Sequence, residues 1–303
     1  MNGDVRPTVI SLFAGCGGSS LGYRMAGYRE VLAVDFDKDC EETFRLNFPG
    51  IPFLREDVLK VDGDQLREAA GIGPADELDV LDGSPPCQGF SMSGIRRQEK
   101  VDRRNFLFFE FVRLVDELRP RAFICENVEG VIRSRVGRAF FREVMAGFRH
   151  AGYKVRCAEV NAAAYGVPQA RRRLIWLGAR SDLSVIPTFP PPSVKRPVTV
   201  GEALAGVQNS KEDLDQQVEQ RTVFRFLGLG LRQGRAANSI VPGDTGSFFN
   251  LLRLRPDRPA PTIIATCNLI HATEPRLVSI PEIKALQSFP RRTILELSNT
   301  KEK

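Results

Sequence analysis

Apolar residues in the first 180 positions fall into short runs, separated by longer segments with helical spacing. The runs that predict strands are Val9–Phe13, Glu30–Asp35, Leu78–Asp82, Ala122–Cys125, Lys154–Val160 and Leu174–Leu177. The segments that predict helices are Ser19–Met25, Cys40–Leu46, Phe106–Leu118 and Gly137–His150. This alternation is typical of an α/β fold with a doubly wound, mainly parallel sheet. Ligands of such folds bind beyond the carboxyl ends of the strands.

The pattern changes near residue 184. The proline-rich run Pro187–Pro192 suits neither a helix nor a central strand and predicts a linker. Ser193–Arg255 is irregular and Gly-rich, which indicates a small second domain, and after it Thr262–Thr266 predicts a strand and Ile280–Phe289 a helix. We therefore predict a catalytic and cofactor domain at 1–183, a variable domain at 184–257, and a return segment at 258–303 that packs on the first domain.

Composition narrows the function classes. The 303 residues are 42% hydrophobic and 26% charged, and no apolar run reaches the roughly 18 residues of a membrane span. The charged start lacks the apolar core of a signal peptide, so we expect a cytoplasmic protein without a membrane partner. Six scattered cysteines without a Cys-x-x-Cys pair, together with only two histidines, argue against a disulfide framework and against a bound metal.

The whole chain has a formal net charge of +6, and basic residues are concentrated in three stretches. Gly94–Arg104 carries five basic and two acidic residues, while Tyr165–Arg180 and Arg221–Arg235 each carry four arginines and no acid. Clusters of this kind suit a polyanion such as nucleic acid lying along a groove. An ordinary solvated surface is the alternative interpretation of any one cluster.

A glycine-rich turn, Ser11-Leu-Phe-Ala-Gly-Cys-Gly-Gly-Ser19, joins the first predicted strand to the first predicted helix. Its glycines allow a ligand to approach the backbone closely, although Ser20 stands where the dinucleotide fingerprint has its third glycine. Asp35, which lies 35 − 15 = 20 residues after Gly15, ends the second strand and suits a ribose hydroxyl. Asp57, after a third apolar run, suits an adenine amino group or caps a local turn.

Two further strand ends carry reactive side chains. Asp82-Gly-Ser-Pro-Pro-Cys87-Gln begins at the end of the predicted strand Leu78–Asp82, and its prolines stiffen the backbone before Cys87. A cysteine at this edge of the sheet is a candidate nucleophile, whereas a buried structural cysteine is the commoner case. Phe123-Ile-Cys-Glu126-Asn places a carboxylate at the same edge, where Glu126 becomes a plausible acid.

Six motifs occur in one order along the chain. They are Phe13-x-Gly-x-Gly-Gly18, Pro86-Cys-Gln88, Glu126-Asn-Val128, Gln169-x-Arg171-x-Arg173, Arg258-Pro-x-Pro-Thr262 and Arg276…Leu286-Gln-x-Phe-Pro290. In this order they resemble the cytosine-C5 DNA methyltransferase family over roughly Ile10–Pro290, with a gap across the predicted second domain. The resemblance implies a Rossmann-like S-adenosylmethionine methyltransferase fold with a smaller target-recognition domain.

The resemblance also implies a reaction, the transfer of a methyl group from S-adenosylmethionine to C5 of cytosine in a specific sequence of double-stranded DNA. Cys87 would add to C6 of a flipped-out base, and Glu126 would contact N3 and the exocyclic amine. Arg173, with Arg171 nearby, would hold the base and the Glu126 side chain. The residues expected at the cofactor are Phe13, Gly15, Gly17, Gly18, Asp35, Phe36, Asp57, Pro86 and Leu107.

DNA contacts are expected mainly from the polar, basic stretch Ser93–Asn105, which in the family closes over DNA. An ordinary surface loop is the simpler alternative. The residues expected at DNA are Gln88, Ser91, Ser93, Arg96, Arg97, Arg104 and Arg258. In the family, specificity comes from the variable domain, here about Ser184–Leu254, whose side chains contact base edges in the major groove. A protein of this kind would be associated with the nucleoid.

After Pro290 the chain departs from the family pattern. Arg291–Lys303 contains no counterpart of the Gly-Asn-x-Val segment and closing helix, so the last motif is expected to be incomplete, with a second polypeptide as one way to complete it. Two alternatives stay open. One is a catalytically impaired or split relic that binds DNA or regulates. The other is a tRNA cytosine-C5 methyltransferase, although Ser193–Arg255 lacks the Cys-Phe-Thr signature of that branch.

Overall fold

The computed structural model describes residues 5–86, 106–133, 135–215, 251–264, 268–274 and 276–294. The strands are β1 Thr8–Leu12, β2 Arg29–Asp35, β3 Phe53–Arg55, β4 Val80–Gly83, β5 Ala122–Val128, β6 Tyr153–Asn161, β7 Gln169–Ala170, β8 Arg172–Arg180, β9 Leu251–Arg253, β10 Ala260–Pro261 and β11 Asn268–Ile270. The helices are α1 Gly18–Met25, α2 Lys38–Asn47, α3 Gly63–Ala70, α4 Phe106–Leu118, α5 Gly130–Arg133, α6 Arg135–His150, α7 Val200–Leu204, α8 Lys211–Asp215 and α9 Ile280–Leu286. Short 3₁₀ helices lie at Val58–Lys60 and Ala162–Tyr165.

A seven-stranded sheet forms the centre of the first part of the chain, with the strand order β3-β2-β1-β4-β5-β8-β6. The pairs β1–β2, β1–β4, β2–β3 and β4–β5 are parallel, whereas β5 and β8 are antiparallel. The predicted fold class, an α/β fold with a mainly parallel sheet, is confirmed. The strand order reverses direction between β1 and β4, which is the position where ligands bind in open α/β sheets.

The register of the strands brings the carboxyl ends of β1, β2, β4 and β5 to the same edge of the sheet. Leu12 at the end of β1 pairs with Val34 of β2 on one side and with Gly83 of β4 on the other. Gly83 in turn pairs with Cys125 of β5. The glycine-rich turn after β1, Asp35 at the end of β2, the Pro85-Pro86 segment after β4 and Glu126 near the end of β5 therefore lie at the same edge of the sheet.

Aromatic side chains from α4, α6 and the sheet form the core beneath this edge. In α4, buried residues recur at helical spacing, at Phe108, Phe111, Leu114, Val115 and Leu118, which explains why the segment is a helix with one apolar face. The rings of Phe123 and Phe148 stack with centroids 4.2 Å apart, and Phe108 meets Trp176 edge-on at 5.0 Å. Each fully buried ring of this size stabilises the fold by about 1.5–3 kcal/mol.

The chain forms two compact units. The first comprises the described residues within 1–159, 173–190 and 294–303, and the second those within 160–172 and 191–293. The predicted boundaries at 183 and 257 differ from this division. Residues 160–172 belong to the second unit, and of the predicted return segment only Ile294, among the described residues, belongs to the first. The assignment of residues 184–257 as a target-recognition domain stays a prediction.

The second unit has its own apolar core and a buried ion pair. The buried apolar residues that pack together in this core are Val200, Leu254, Ala260, Leu269, Ala272, Val278 and Leu286. Helix α9 begins with a capping box, in which the Ser279 side chain accepts from the Glu282 amide and Glu282 accepts from the Ser279 amide. Glu282, 3% exposed, also pairs with Arg276 at 2.6 Å and accepts from Asn209 at 3.0 Å. Arg276, a motif residue, therefore anchors α9.

Some element predictions were wrong or incomplete. Thr262–Thr266 was predicted as a strand, but the short strand is Ala260–Pro261 and residues 262–264 have no regular structure, while 265–266 lie outside the described residues. The predicted helix Ile280–Phe289 ends at Leu286, and Ser288 adopts a left-handed φ of 61°. Helix α3 was missed, although Asp62 and Gln65 form a local capping box at its start. No helix of the described ranges is long and apolar enough to cross a bilayer.

Candidate active site

The glycine-rich turn after β1 has the backbone that close approach of a ligand requires. Phe13, Gly15 and Gly17 adopt positive φ values of 55°, 54° and 88°. This conformation is costly for Phe13, which is not a glycine, and such strain is concentrated at functional sites. Gly17 is the N-cap of α1 and supplies no side chain, so the first amides of that helix are not capped by it. They are suited to bind an anionic group such as a carboxylate.

Asp35 fixes the shape of this turn from the end of β2. One carboxylate oxygen of Asp35 accepts from the Gly15 amide at 2.9 Å, and the other accepts from the Asp37 amide at 3.0 Å. Each carboxylate oxygen has a second lone pair, so both remain able to accept from the hydroxyls of a ribose. The structure thus brings together Gly15 and Asp35, two residues that the sequence assigned to the cofactor.

Phe36 is exposed to solvent, whereas the Asp57 side chain is engaged in a local hydrogen bond. The Phe36 ring is 69% exposed, which suits a platform for an aromatic ligand such as adenine. The Asp57 side chain caps the 3₁₀ helix Val58–Lys60 by accepting from the Leu59 amide at 3.0 Å. The capping role that the sequence left open for Asp57 is therefore present, and a contact with adenine stays a prediction. The exposed ring, the turn amides and the Asp35 carboxylate together fit S-adenosylmethionine.

A buried asparagine holds the segment that leads to Cys87. Asn127, 3% exposed, donates from Nδ2 to the carbonyl of the buried Pro85 at 3.2 Å, while its Oδ1 accepts from the Val128 amide at 2.7 Å. The bond spans 42 positions of the chain and ties the end of β5 to the segment after β4. The sequence showed Asn127 beside Glu126 but did not assign it a role, because nothing local indicates its partner.

Glu126 and Arg173 form an ion pair at the end of β5. Antiparallel pairing places Arg173 opposite Val128, and the Arg173 Nε lies 2.5 Å from the Glu126 carboxylate. Both side chains are partly exposed, at 29% for Glu126 and 18% for Arg173. The pair therefore reaches the surface at the same edge as Pro85 and Pro86, with the carboxylate oriented by the guanidinium. The structure thus brings together two of the predicted site residues, and their roles toward a base stay predictions.

Gln169 and Arg171 belong to the second unit. The buried Gln169 accepts from the Ile263 amide at 3.1 Å, and Ala260 of β10 pairs with Gln169 of β7. Thr262 donates to the Ala170 carbonyl at 3.2 Å. Two of the six motifs thus bind each other, and Gln169 has a structural role that the sequence did not show. The Arg171 backbone is hydrogen-bonded to Ala162 and Gln169, and the predicted role of Arg171 stays a prediction.

A buried acid lies beneath the glycine-rich turn. Burial raises the pKa of Asp82, in β4, to about 7, although hydrogen bonds from Tyr23 and Ser19 of α1 oppose the shift. Burial likewise raises the pKa of Glu30, whose carboxylate accepts from Ser20 at 2.9 Å. These groups connect α1 to the sheet by hydrogen bonds, and near neutral pH Asp82 is divided between its two protonation states.

Several predicted site residues lie outside the described residues, namely Cys87, Gln88, Ser91, Ser93, Arg96, Arg97 and Arg104. Gly18 begins α1, Pro86 ends the described segment after β4, and Leu107 is half-buried in the first turn of α4. The side chain of Arg258, 56% exposed, lies 3.7 Å from the Asp257 carboxylate. Within the described ranges, no cluster of histidine, cysteine and acidic side chains is arranged to hold a metal.

Comparison with known proteins agrees with this geometry. A family model described as C-5 cytosine-specific DNA methylase matches residues 7–302, which includes the end where no Gly-Asn-x-Val segment was found. The type II methyltransferase M1.HphI of Haemophilus parahaemolyticus is 34% identical over 93% of this chain and 77% of its own length. M.XorII of Xanthomonas oryzae is 43% identical over 68% of this chain, which corresponds to 47% of that relative.

Among solved structures, a proposed DNA modification methyltransferase encoded within an E. coli prophage is similar to this chain. It superposes with a TM-score of 0.74 at 26% identity, over 94% of this chain and 89% of that protein. The family match covers nearly the whole chain and includes the glycine-rich turn, the Glu126–Arg173 pair and the Gln169 segment. The chain belongs to the C-5 cytosine-specific DNA methylase family.

Proposed function

We propose that this chain transfers a methyl group from S-adenosylmethionine to C5 of cytosine in a specific sequence of double-stranded DNA. The observation that carries the proposal is the convergence at one sheet edge of the Gly15–Asp35 bond, the Pro85 carbonyl held by Asn127 and the Glu126–Arg173 pair. The first element suits a cofactor with a ribose. The held Pro85 segment suits the placement of a nucleophile, and the Glu126–Arg173 pair suits hydrogen bonding to a base.

The amides of the glycine-rich turn, Asp35 and Phe36 would hold the cofactor, which supplies an electrophilic methyl group. Cys87 adds to C6 of the flipped-out cytosine as a thiolate and increases the electron density at C5. Glu126 hydrogen-bonds N3 and the exocyclic amine, and thereby stabilises the charge that develops on the ring during this addition. Arg173 keeps the Glu126 carboxylate oriented toward the base. Once C5 has taken the methyl group, loss of the C5 proton to solvent or a base and elimination of the Cys87 thiolate would release 5-methylcytosine.

Double-stranded DNA is the partner that the positive charge of the chain favours. The exposed Arg258 side chain and the basic stretch 94–104 would neutralise phosphates, and the protein would act in the cytoplasm on nucleoid DNA. The variable region 184–257 would contact base edges of the recognised sequence.

Trapping tests the proposed chemistry directly. DNA that carries 5-fluorocytosine should form an irreversible adduct with the protein. Elimination of the thiolate requires loss of a proton from C5, and in this base fluorine takes the place of that proton. Cys87→Ser should form no adduct, and peptide mapping of the wild-type adduct should locate it on Cys87. Labelled S-adenosylmethionine, offered with duplex DNA or with tRNA, determines the substrate. Methylation of tRNA alone, or an adduct that persists in Cys87→Ser, would contradict the proposal.

A further inference from the structure

Two cysteines lie next to each other beside the proposed cofactor site. The sulfur atoms of Cys16 and Cys40 are 3.9 Å apart. Cys16 is exposed in the glycine-rich turn, between Gly15 and Gly17, and Cys40 is half-buried in the first turn of α2. The proposed methyl transfer uses neither thiol. The pair connects the segment after β1 with the segment after β2, 24 positions later.

Within the pair, Cys16 is the more reactive thiol. A hydrogen bond with Cys40 lowers the pKa of Cys16 to about 7, against burial and against the nearby Asp35 and Asp37, and the same bond raises the pKa of Cys40. An exposed thiol with a lowered pKa is a nucleophile near neutral pH. Two other cysteines of the described ranges are unlike it. Cys125 is fully buried, and burial raises the pKa of Cys157 to about 12.

We propose that Cys16 and Cys40 are a redox-sensitive thiol pair that closes to an intramolecular disulfide in the presence of a small-molecule disulfide such as oxidised glutathione. The Cys16 thiolate attacks one sulfur of the oxidant, and the other sulfur leaves as a thiolate. Cys40 then loses its proton to solvent and attacks Cys16 in the mixed disulfide, which releases the second thiolate. The two protein thiols are oxidised, and one small disulfide is reduced to two thiols.

The turn has room for the closure at Gly15. A disulfide requires a sulfur–sulfur distance near 2.05 Å, so the two atoms must approach by about 1.9 Å. Nothing lies within 4 Å of a Cβ placed on Gly15, which precedes Cys16, whereas a Cβ on Gly17, which follows it, would lie 2.4 Å from a Phe48 ring carbon. The room for movement therefore lies on the Gly15 side of the turn. Cys40 sits in a helix whose N-cap, Asp37, binds the Cys40 amide at 3.1 Å, so the movement falls mainly on the turn.

That movement affects the cofactor site. Gly15 precedes Cys16 and donates its amide to Asp35, and a displacement much above about 0.5 Å disrupts a site built from such contacts. We therefore expect the disulfide to weaken binding of S-adenosylmethionine by about tenfold or more, and dithiothreitol to restore that binding. This expectation rests on the proposed function.

The test equilibrates the full-length chain with a series of ratios of oxidised to reduced glutathione. Free thiols are then blocked by alkylation at low pH, and the peptides are mapped by mass spectrometry. A linked pair of peptides containing Cys16 and Cys40, lighter by two hydrogens, is the expected product. Cys16→Ser and Cys40→Ser should each abolish it, and Cys157→Ser is the matched control that should retain it. Calorimetry on the oxidised and reduced samples measures binding of S-adenosylmethionine.

The outcomes separate the two proposals. A linked peptide together with weaker cofactor binding in the oxidised sample supports the thiol pair. Stable glutathione adducts on Cys16 without linkage to Cys40, linkage of Cys16 to another cysteine, or equal affinity in both samples would overturn it. If the reduced chain fails to bind S-adenosylmethionine, the proposed function fails, while the peptide map still decides whether the disulfide forms.

Discussion

Asn127 provides the sharpest test of how the fold positions the segment before the proposed nucleophile, Cys87. Its side chain makes two hydrogen bonds, to the Pro85 carbonyl and from the Val128 amide, and both Asn127 and Pro85 are buried. Asn127→Ala removes both bonds and leaves the Pro85 carbonyl without its protein donor. A buried polar group without a partner costs about 1–3 kcal/mol, so we expect a loss of about 2 kcal/mol in the free energy of unfolding.

The effect on turnover should exceed the effect on binding. Cys87 follows Pro85 by two residues, and a displacement of about 1 Å in a reacting group costs up to about 10²-fold in rate. We therefore expect kcat to fall by about 10²-fold in Asn127→Ala, with the affinity for S-adenosylmethionine little changed because Gly15 and Asp35 are untouched. Urea denaturation measures the stability, and single-turnover methylation with labelled cofactor measures the rate.

Asn127→Asp separates the two hydrogen bonds. It keeps an acceptor for the Val128 amide but turns the group that faces the Pro85 carbonyl into a carboxylate oxygen. At high pH this variant should be at least as impaired as Asn127→Ala, and its rate relative to wild type should recover as the pH falls, since a protonated acid is able to donate to the carbonyl. Wild-type turnover and stability in Asn127→Ala would refute the positioning role.

Three further predictions concern the turn, the second unit and DNA. Gly17→Ala should destabilise the fold by about 2 kcal/mol or more, because the φ of Gly17 is 88° and the new Cβ would lie 2.4 Å from a Phe48 ring carbon. In the control Gly22→Ala the new Cβ meets nothing within 4 Å, so thermal unfolding of this variant should show unchanged or increased stability. Although burial raises it, hydrogen bonds from Arg276, the Ser279 amide and Asn209 lower the pKa of Glu282 from 4.5 to about 2. Glu282 therefore contributes stability that is present above about pH 4.5 and is lost as the pH falls toward 2, on the order of 3 kcal/mol, and urea midpoints measured across this range should vary less with pH in Glu282→Gln. Arg258→Ala should reduce the slope of log affinity for duplex DNA against log salt by about one, and an unchanged slope would mean that Arg258 contacts no phosphate.

The sequence by itself determined the elements whose cause is local. Helix α4 lies at Phe106–Leu118 as predicted, because apolar residues at helical spacing give that segment a single buried face. The strands that end near Phe13, Asp35 and Glu126 were predicted from their apolar runs, and parallel pairing then placed these residues at one edge. The sequence also indicated the family, because each of the six motifs is a short local pattern and their order along the chain is visible without the structure.

Tertiary structure alone decided which groups meet across long stretches of chain. The bond from Asn127 to Pro85 spans 42 positions, and the contact of Gln169 with Ile263 spans 94. Thr262–Thr266 was predicted as a strand from residue type, but the Ile263 amide binds the Gln169 side chain instead of a sheet. Cys16 and Cys40 lie together because the glycine-rich turn and α2 follow the adjacent parallel strands β1 and β2. A sequence pattern reports the partners of a residue within a few positions, whereas these contacts depend on strand order and register, which the packing of the whole unit fixes.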